Sequence, residues 1–149
     1  MTARGLRRLF NLYPPYLGAG VRVRHLADDF RTARVELPLR WYNRNYVGTH
    51  FGGSLFAMTD PFLMIMAMRN LGAGYRVWDR TAQIEFVAPG RDRLAVDFTL
   101  TEADLARMRE ETAAGGKYEP WFDADIRAAD GTLVARVRKQ LYVRRTQHT

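Results

Sequence analysis

Apolar and polar residues alternate with a period of two in four stretches of the chain. The first begins at Val21, and the others cover residues 33–37, 78–88 and 94–100. This period is typical of half-buried strands, which point successive side chains to opposite faces of a sheet. The pattern therefore predicts four strands, of which the first two form a pair.

A strand hairpin is predicted near the end of the chain. Residues 122–126 and 137–143 both carry apolar residues at alternate positions, with charged residues between them. The dipeptide Asp130–Gly131 lies between the two stretches, and its tolerance of positive φ suits a tight hairpin turn.

Residues 55–71, LFAMTDPFLMIMAMRNL, are apolar on nearly every side. A surface helix would show one polar face, so this segment predicts a helix that is buried all round. A membrane span is the competing interpretation, but Asp60 and Pro61 interrupt the apolar run, which is also shorter than the ~20 residues that a bilayer needs.

Two shorter helices flank these elements. Residues 7–13 predict a helix that Pro14 and Pro15 end, because proline lacks the N–H donor and disfavours helix in the residue before it. A second helix is expected after residue 101, where Thr101 and Asp104 have the spacing of a capping box, and it should stop at residues 115–116.

The composition fits a single domain over residues 1–149. With 149 residues, of which 47% are hydrophobic, the chain can bury one core. The absence of cysteine excludes disulfides and thiolate metal sites, and it is compatible with a reducing compartment. No apolar stretch of a secretory signal follows the arginines of the first ten residues. We therefore expect a cytoplasmic protein.

The formal charge of +7 and the pI near 10.2 favour anionic partners. Nucleic acid, anionic lipid and a phosphate-bearing cofactor all fit this charge. The arginines do not form a run of five or more, and no zinc-finger, RNA-recognition or P-loop spacing is present. The pattern therefore does not favour nucleic acid.

Asp60 is the most informative residue, because an unpaired ionised carboxylate is costly inside an apolar helix. In one interpretation Asp60 is the N-cap of a shorter helix with Pro61 at its first position. In the other, the helix extends back to Gly52 and Gly53, whose amides point at an incoming carbonyl oxygen, and Pro61 makes a kink.

The segment GGSLFAMTDPF resembles the Gly-Gly, apolar, Asp segment that opens the central helix of phenylacetyl-CoA thioesterase-like hotdog proteins. The strand-helix-strand order and the upstream Asn45, Gly48 and His50 are also similar to that superfamily, and the chain is close to an uncharacterised bacterial branch of it. The resemblance covers residues 21–143. It implies an α+β hotdog fold, in which an antiparallel sheet is wrapped around a long central helix.

The resemblance also implies a function. Acyl-CoA would lie at a dimer interface, the Gly53 amide would polarise the thioester, and Asp60 would drive its hydrolysis, with no metal or redox cofactor and with coenzyme A as part of the substrate. Two departures from the family pattern are visible: Phe51 is inserted between His50 and the two glycines, and Pro61 directly follows the acid.

A dimer is expected from helix geometry. At about 1.5 Å per residue, Gly53 and Asp60 lie roughly 10 Å apart along one straight helix, too far for one thioester to touch both. If both act on one carbonyl, they come from two subunits whose helices run antiparallel across a two-fold axis. We therefore expect a homodimer or a dimer of dimers.

Further candidate residues lie on both sides of the helix. Asn45 and His50 could orient water or the acyl carbonyl, or they could be solvated or capping loop residues. The second group consists of arginines on the last strand whose side chains point to the same face of the sheet. They could bind the phosphates of coenzyme A, or they could form a solvated face of the sheet. They are Arg136, Arg138 and Arg144. Three scattered histidines predict no metal site.

The sequence therefore predicts an acyl-CoA thioesterase. The first alternative is a non-catalytic acyl-CoA or lipid-binding hotdog domain, which Pro61 favours. The second is a nucleic-acid-binding or structural domain, which only the positive charge supports.

Overall fold

Seven strands form one antiparallel sheet in the computed structural model, which describes residues 1–146. Their order across the sheet is β1-β2-β4-β6-β7-β3, with β5 also paired to β7. The predicted strands and the hairpin at Gly131 are confirmed. The strands are β1 (Arg22–Leu26), β2 (Thr32–Leu37), β3 (Tyr75–Phe86), β4 (Leu94–Thr99), β5 (Lys117–Tyr118), β6 (Trp121–Ala128) and β7 (Leu133–Arg145).

Five α-helices and one 3-10 turn (Trp41–Asn43) complete this part of the chain. None of the helices within residues 1–146 has the length and apolar character to cross a membrane. The helices are α1 (Ala3–Leu12), α2 (Pro14–Ala19), α3 (Gly52–Ala57), α4 (Phe62–Leu71) and α5 (Glu102–Glu111).

The helix ends follow the predicted signals in part. The capping box of Thr101 and Asp104 is present at the start of α5, but this helix ends at Glu111, before the glycines. At the N-terminus, α1 does end before Pro14, yet the two prolines open a further helix, α2. Proline is well suited to the first turn of a helix, because its missing N–H would have no partner there.

The buried helix predicted for residues 55–71 is interrupted once. It begins at Gly52, as the longer of the two interpretations requires, but α3 ends at Ala57 and α4 begins at Phe62. The Asp60–Pro61 peptide bond between them is cis. Asp60 is not the N-cap of α4: Pro61 holds that place, without a side-chain capping hydrogen bond. The Asp60 side chain is therefore not used in capping.

The core lies between α4 and the sheet. The helix packs on β3, β4 and β7, and the ring of Phe62 stacks on that of Phe98 with centroids 5.3 Å apart. The inward positions of β4, which the alternation predicts, are all buried: Leu94, Val96 and Phe98. Burial of such large apolar side chains is the main favourable contribution to folding.

The N-terminal helices attach to the edge of the sheet. The Asn11 side chain donates to the Val23 carbonyl at 3.0 Å and accepts from the Val23 N–H at 2.8 Å, so α1 satisfies part of the open edge of β1. The Phe10 ring contacts Phe62 at a centroid distance of 5.5 Å. This docking brings α1 and α2 to the turn between α3 and α4.

Candidate active site

Lys139 lies on the inward face of β7, between the buried Val137 and Leu141. Its side chain is only 3% exposed. Its Nζ lies 3.3 Å from Asp60 Oδ1 and 3.4 Å from Asp79 Oδ1. The same ammonium is 5.9 Å from the centre of the Phe56 ring on α3. One buried cation therefore joins the interhelical turn to the sheet.

A β-bulge on β3 accompanies Asp79. Asp79 pairs with Leu141 and Thr81 pairs with Gln140, so Arg80 is the extra residue between them. Bulges redirect side chains and are frequent beside functional sites. The Arg80 guanidinium is held by Glu119 at 3.0 Å.

Asp60 lies in the turn between α3 and α4, with its side chain 56% exposed. Oδ1 accepts a hydrogen bond from Lys139, and the neighbouring Asp79 carboxyl group lies within side-chain hydrogen-bonding reach of Asp60. The main-chain carbonyl of Asp60 accepts a hydrogen bond from the Tyr16 hydroxyl of α2. Burial raises the pKa of Tyr16 well above its ordinary value, so the hydroxyl keeps its proton and remains a donor. The turn is thus held by Lys139 through the Asp60 side chain and by Tyr16 through the Asp60 carbonyl.

Two carboxylates share the one ammonium of this cluster. Burial raises the pKa of Asp79 to about 6, the negative charge of Asp60 acts in the same direction, and Lys139 partly opposes them. The Lys139–Asp79 contact is an ion pair without hydrogen-bond geometry, and Asp79 Oδ1 is buried. Asp79 therefore gives up its charge at a higher pH than an ordinary aspartate does.

Asp60 and Ala57 line two neighbouring cavities. The first has a volume of about 350 Å³ and contains the polar groups of the cluster together with Gly53. The second, of about 320 Å³, is bounded by α1 and α2 and is largely apolar. Asp60 therefore lies between a polar cavity and an apolar one.

Gly53 and Asp60, the two residues predicted to act on the thioester, are brought to the lining of the same cavity. The N–H groups of Gly52 and Gly53 donate no hydrogen bond within residues 1–146, whereas those of Ser54 and Leu55 donate to the Phe51 carbonyl. A Cβ at Gly53 would lie 2.5 Å from the Phe51 ring, so a bare glycine also lets this ring cover the start of α3.

Asn45 and His50 line a different cavity, of about 380 Å³, which does not include Asp60. The Asn45 side chain bonds within its own loop, donating to Thr49 Oγ1 at 2.8 Å and accepting from the Thr49 N–H at 2.9 Å. His50 is buried, and its Nε2–H donates to the Asp92 carbonyl at 2.6 Å. Burial lowers the pKa of His50, with Asp92 acting in the opposite direction, which favours the neutral ring.

The three predicted coenzyme A contacts lie on the face of β7 opposite Lys139 and are not in the lining of the Asp60 cavity. All three are exposed and have local partners. Arg136 lies 3.9 Å from Asp125, Arg138 lies 3.4 Å from Asp123, and Arg144 donates to the Gly115 carbonyl at 3.2 Å.

Lys139 and Asp79 were not among the residues predicted from the sequence. Lys139 has a signal in the strand alternation: it falls between Val137 and Leu141, at a position where the pattern requires an apolar residue. Asp79 has no such signal, because the bulge at Arg80 breaks the alternation of β3. Within the described part of the chain, no three histidine, aspartate or glutamate side chains are placed to hold one metal ion.

Solved structures with the same fold cover nearly the whole chain. A protein of unknown function from Pseudomonas aeruginosa, described as a probable thioesterase, superposes with a TM-score of 0.85 at 17% identity, over 98% of this chain and 97% of that one. A thioesterase from Haemophilus influenzae gives 0.70 at 15% identity, over 100% and 96%. A protein of unknown function from Chlorobaculum tepidum gives 0.74 at 16% identity, over 97% and 94%. At these identities the similarity shows the hotdog fold alone.

The family comparison covers almost the same length. Residues 3–143 match the model described as "Domain of unknown function (DUF4442)". A comparison with curated proteins found no match. The α+β hotdog fold implied by the sequence is thus confirmed, and the chain belongs to the DUF4442 family.

Proposed function

We propose that this protein is an acyl-CoA thioesterase in which Asp60 acts on the thioester. The observation that carries this function is the position of the Asp60 carboxylate. It is partly exposed and held by a buried lysine, and the residue Asp60 lines both a polar and an apolar cavity. An acyl thioester has the same division, with a polar coenzyme on one side of the reacting carbonyl and an apolar chain on the other.

Asp60 would serve as general base. It takes a proton from a water molecule as the water oxygen attacks the thioester carbonyl, and the carbon–sulfur bond then breaks to release the thiolate of coenzyme A. Direct attack by the carboxylate, which gives an anhydride that water then cleaves, uses the same residue. In either route the Gly53 N–H would stabilise the oxyanion, since no acceptor within residues 1–146 takes it up and Gly53 lines the same cavity.

Lys139 would position the base. Its hydrogen bond engages Oδ1 of Asp60, and the Asp60 side chain remains 56% exposed, so that the carboxylate can meet water. Because the lysine is buried on a central strand, its ammonium is held firmly, and a fixed partner orients the carboxylate better than a flexible one. Tyr16 supports the same turn through the Asp60 carbonyl.

We propose a homodimer as the working form, or a dimer of dimers, in the cytoplasm. Because α3 ends at Ala57, the straight-helix distance does not separate Gly53 from Asp60, and one chain places both residues on the same cavity. The dimer is therefore proposed from the exposed surface. Exposed apolar side chains near the cavities support a subunit contact there, because apolar patches of this kind are typical of interfaces: Phe51, Phe56, Phe86 and Val87.

The test is hydrolysis of acyl-CoA esters from acetyl to dodecanoyl, followed through the released thiol with a chromogenic thiol reagent. The chain has no cysteine, so the protein itself gives no background. Release of coenzyme A in proportion to enzyme supports the function. Binding of coenzyme A thioethers without any hydrolysis would identify a binding domain instead. Salt-dependent binding to a random DNA duplex, with no response to acyl-CoA, would contradict both.

A further inference from the structure

An apolar pocket of about 320 Å³ separates the N-terminal helices from the turn that carries Asp60. We call it the N-terminal pocket. Its walls come from Leu9 and Phe10 of α1, from Tyr13 and Tyr16 around the start of α2, and from Pro61. Leu9 and Tyr13 lie at its mouth, since both are exposed, whereas Tyr16 is buried.

The walls of the pocket are aromatic and well packed. The Phe10 and Tyr16 rings are stacked with centroids 5.4 Å apart, and the Tyr13 ring meets Tyr16 edge-on at 5.8 Å. The Tyr16 hydroxyl is bound to the Asp60 carbonyl. The pocket therefore presents mainly ring surface to an occupant, and such a preformed apolar pocket is typical of ligand sites.

Among residues 1–146, no lysine or arginine contributes to the lining, and Asp60 is the one acidic residue in it. The phosphates of a coenzyme would find no cation here. Asp60 is shared with the polar cavity that contains Gly53 and Lys139. A molecule whose reacting carbonyl lies at Asp60 can therefore extend an apolar group into this pocket and leave its polar part outside.

We propose that the N-terminal pocket binds the apolar part of the acyl group, and that it selects straight chains of up to roughly ten carbon atoms. This assignment rests on the proposed function. The chain length follows from the volume, since apolar cavities of ~150 Å³ hold one benzene ring and this pocket is about twice as large. The N-terminal helices are thus the element that determines acyl-chain specificity.

The test measures binding of non-hydrolysable thioethers, S-butyl- and S-decyl-coenzyme A, by titration calorimetry. Each buried methylene is worth about fourfold in affinity, so partial burial of the six additional methylenes gives the wild type a preference of at least tenfold for S-decyl-coenzyme A. Leu9→Trp places a large ring at the mouth of the pocket. Leu12→Trp is the matched control, because Leu12 is on the same helix, is 71% exposed and does not line the pocket.

We expect Leu9→Trp to reduce the preference for S-decyl-coenzyme A by about tenfold, with S-butyl-coenzyme A bound as before, and Leu12→Trp to keep the wild-type preference. An unchanged preference in Leu9→Trp would overturn the assignment, as would failure of the wild type to bind either thioether. Leu9 is 53% exposed, and thermal unfolding checks that both variants are folded.

Hydrolysis assays on the same three proteins separate this assignment from the proposed function. If the wild type binds the thioethers with a preference that Leu9→Trp abolishes but hydrolyses no acyl-CoA, the pocket stands and the thioesterase function fails. If it hydrolyses acyl-CoA with the same chain-length profile in all three proteins, the function stands and the pocket assignment fails.

Discussion

The free energy of unfolding of Asp79→Asn, relative to that of the wild type, should increase as the pH rises. In the folded protein, burial and the charge of Asp60 raise the Asp79 pKa from 3.8 to about 6. Folding therefore favours the protonated form of this carboxyl group. Asparagine has nearly the same shape as protonated aspartate and cannot ionise, so the variant escapes the cost of charging this site.

The sign and size follow from proton linkage. Below about pH 3, Asp79 is largely protonated in both the folded and the unfolded chain, so it contributes no pH dependence. As the pH rises toward 6, the unfolded chain gives up the proton while the folded chain retains it, and the stability of the wild type falls. A shift of about two pKa units corresponds to about 3 kcal/mol in total, of which about 2 kcal/mol develops between about pH 4 and pH 7.

The measurement is the free energy of unfolding in urea for the wild type and Asp79→Asn over this pH range. The ion pair with Lys139 forms only when Asp79 is ionised, and its effect is already contained in the pKa of about 6. Asp28→Asn is the matched control for the loss of one carboxylate, since Asp28 is exposed and forms no ion pair within residues 1–146. A difference between Asp79→Asn and wild type that stays flat, or that falls with pH, would refute the electrostatic account of the cluster.

Three further predictions concern the site and the assembly. Lys139→Met should raise the Asp79 pKa above about 6, because the lysine lowers it, and should reduce kcat about tenfold or more through loss of carboxylate positioning; NMR titration and kinetics test this. Replacement of Arg136, Arg138 and Arg144 with Gln should raise KM and weaken thermal protection by coenzyme A with little change in kcat; unchanged protection would leave them as a solvated face. Sedimentation at micromolar concentration should show a dimer or larger, and a stable monomer that hydrolyses acyl-CoA would contradict the proposal that the working form is a dimer.

The strands could be predicted because local alternation determines which residues can face the core. Leu94, Val96 and Phe98 alternate with polar residues and are all buried, and the capping box at Thr101 is determined within four residues. The interruption of the central helix was harder to place. Pro61 indicates a disturbance, but whether a helix kinks or stops there depends on what packs around the turn.

Only those residues of the candidate site that stand out in the local sequence could be predicted. Asp60 and Gly53 stand out in the sequence and share one cavity. Their partners come from distant elements: Lys139 is 79 positions from Asp60, and Tyr16 is 44 positions away. The buried lysine is visible as a break in the apolar alternation of β7, whereas the docking of α2 on the Asp60 turn depends on tertiary packing that no local pattern records.

The most direct test of the central claim is kcat for acyl-CoA hydrolysis by Asp60→Asn, with Asp28→Asn as control. The account predicts that Asp60→Asn remains folded, binds S-decyl-coenzyme A, and loses ~10²-fold or more in kcat, which is the scale expected when a positioned base is removed. Asp28→Asn should keep the wild-type rate. A folded Asp60→Asn variant that hydrolyses acyl-CoA at the wild-type rate would contradict the claim that this carboxylate performs the chemistry.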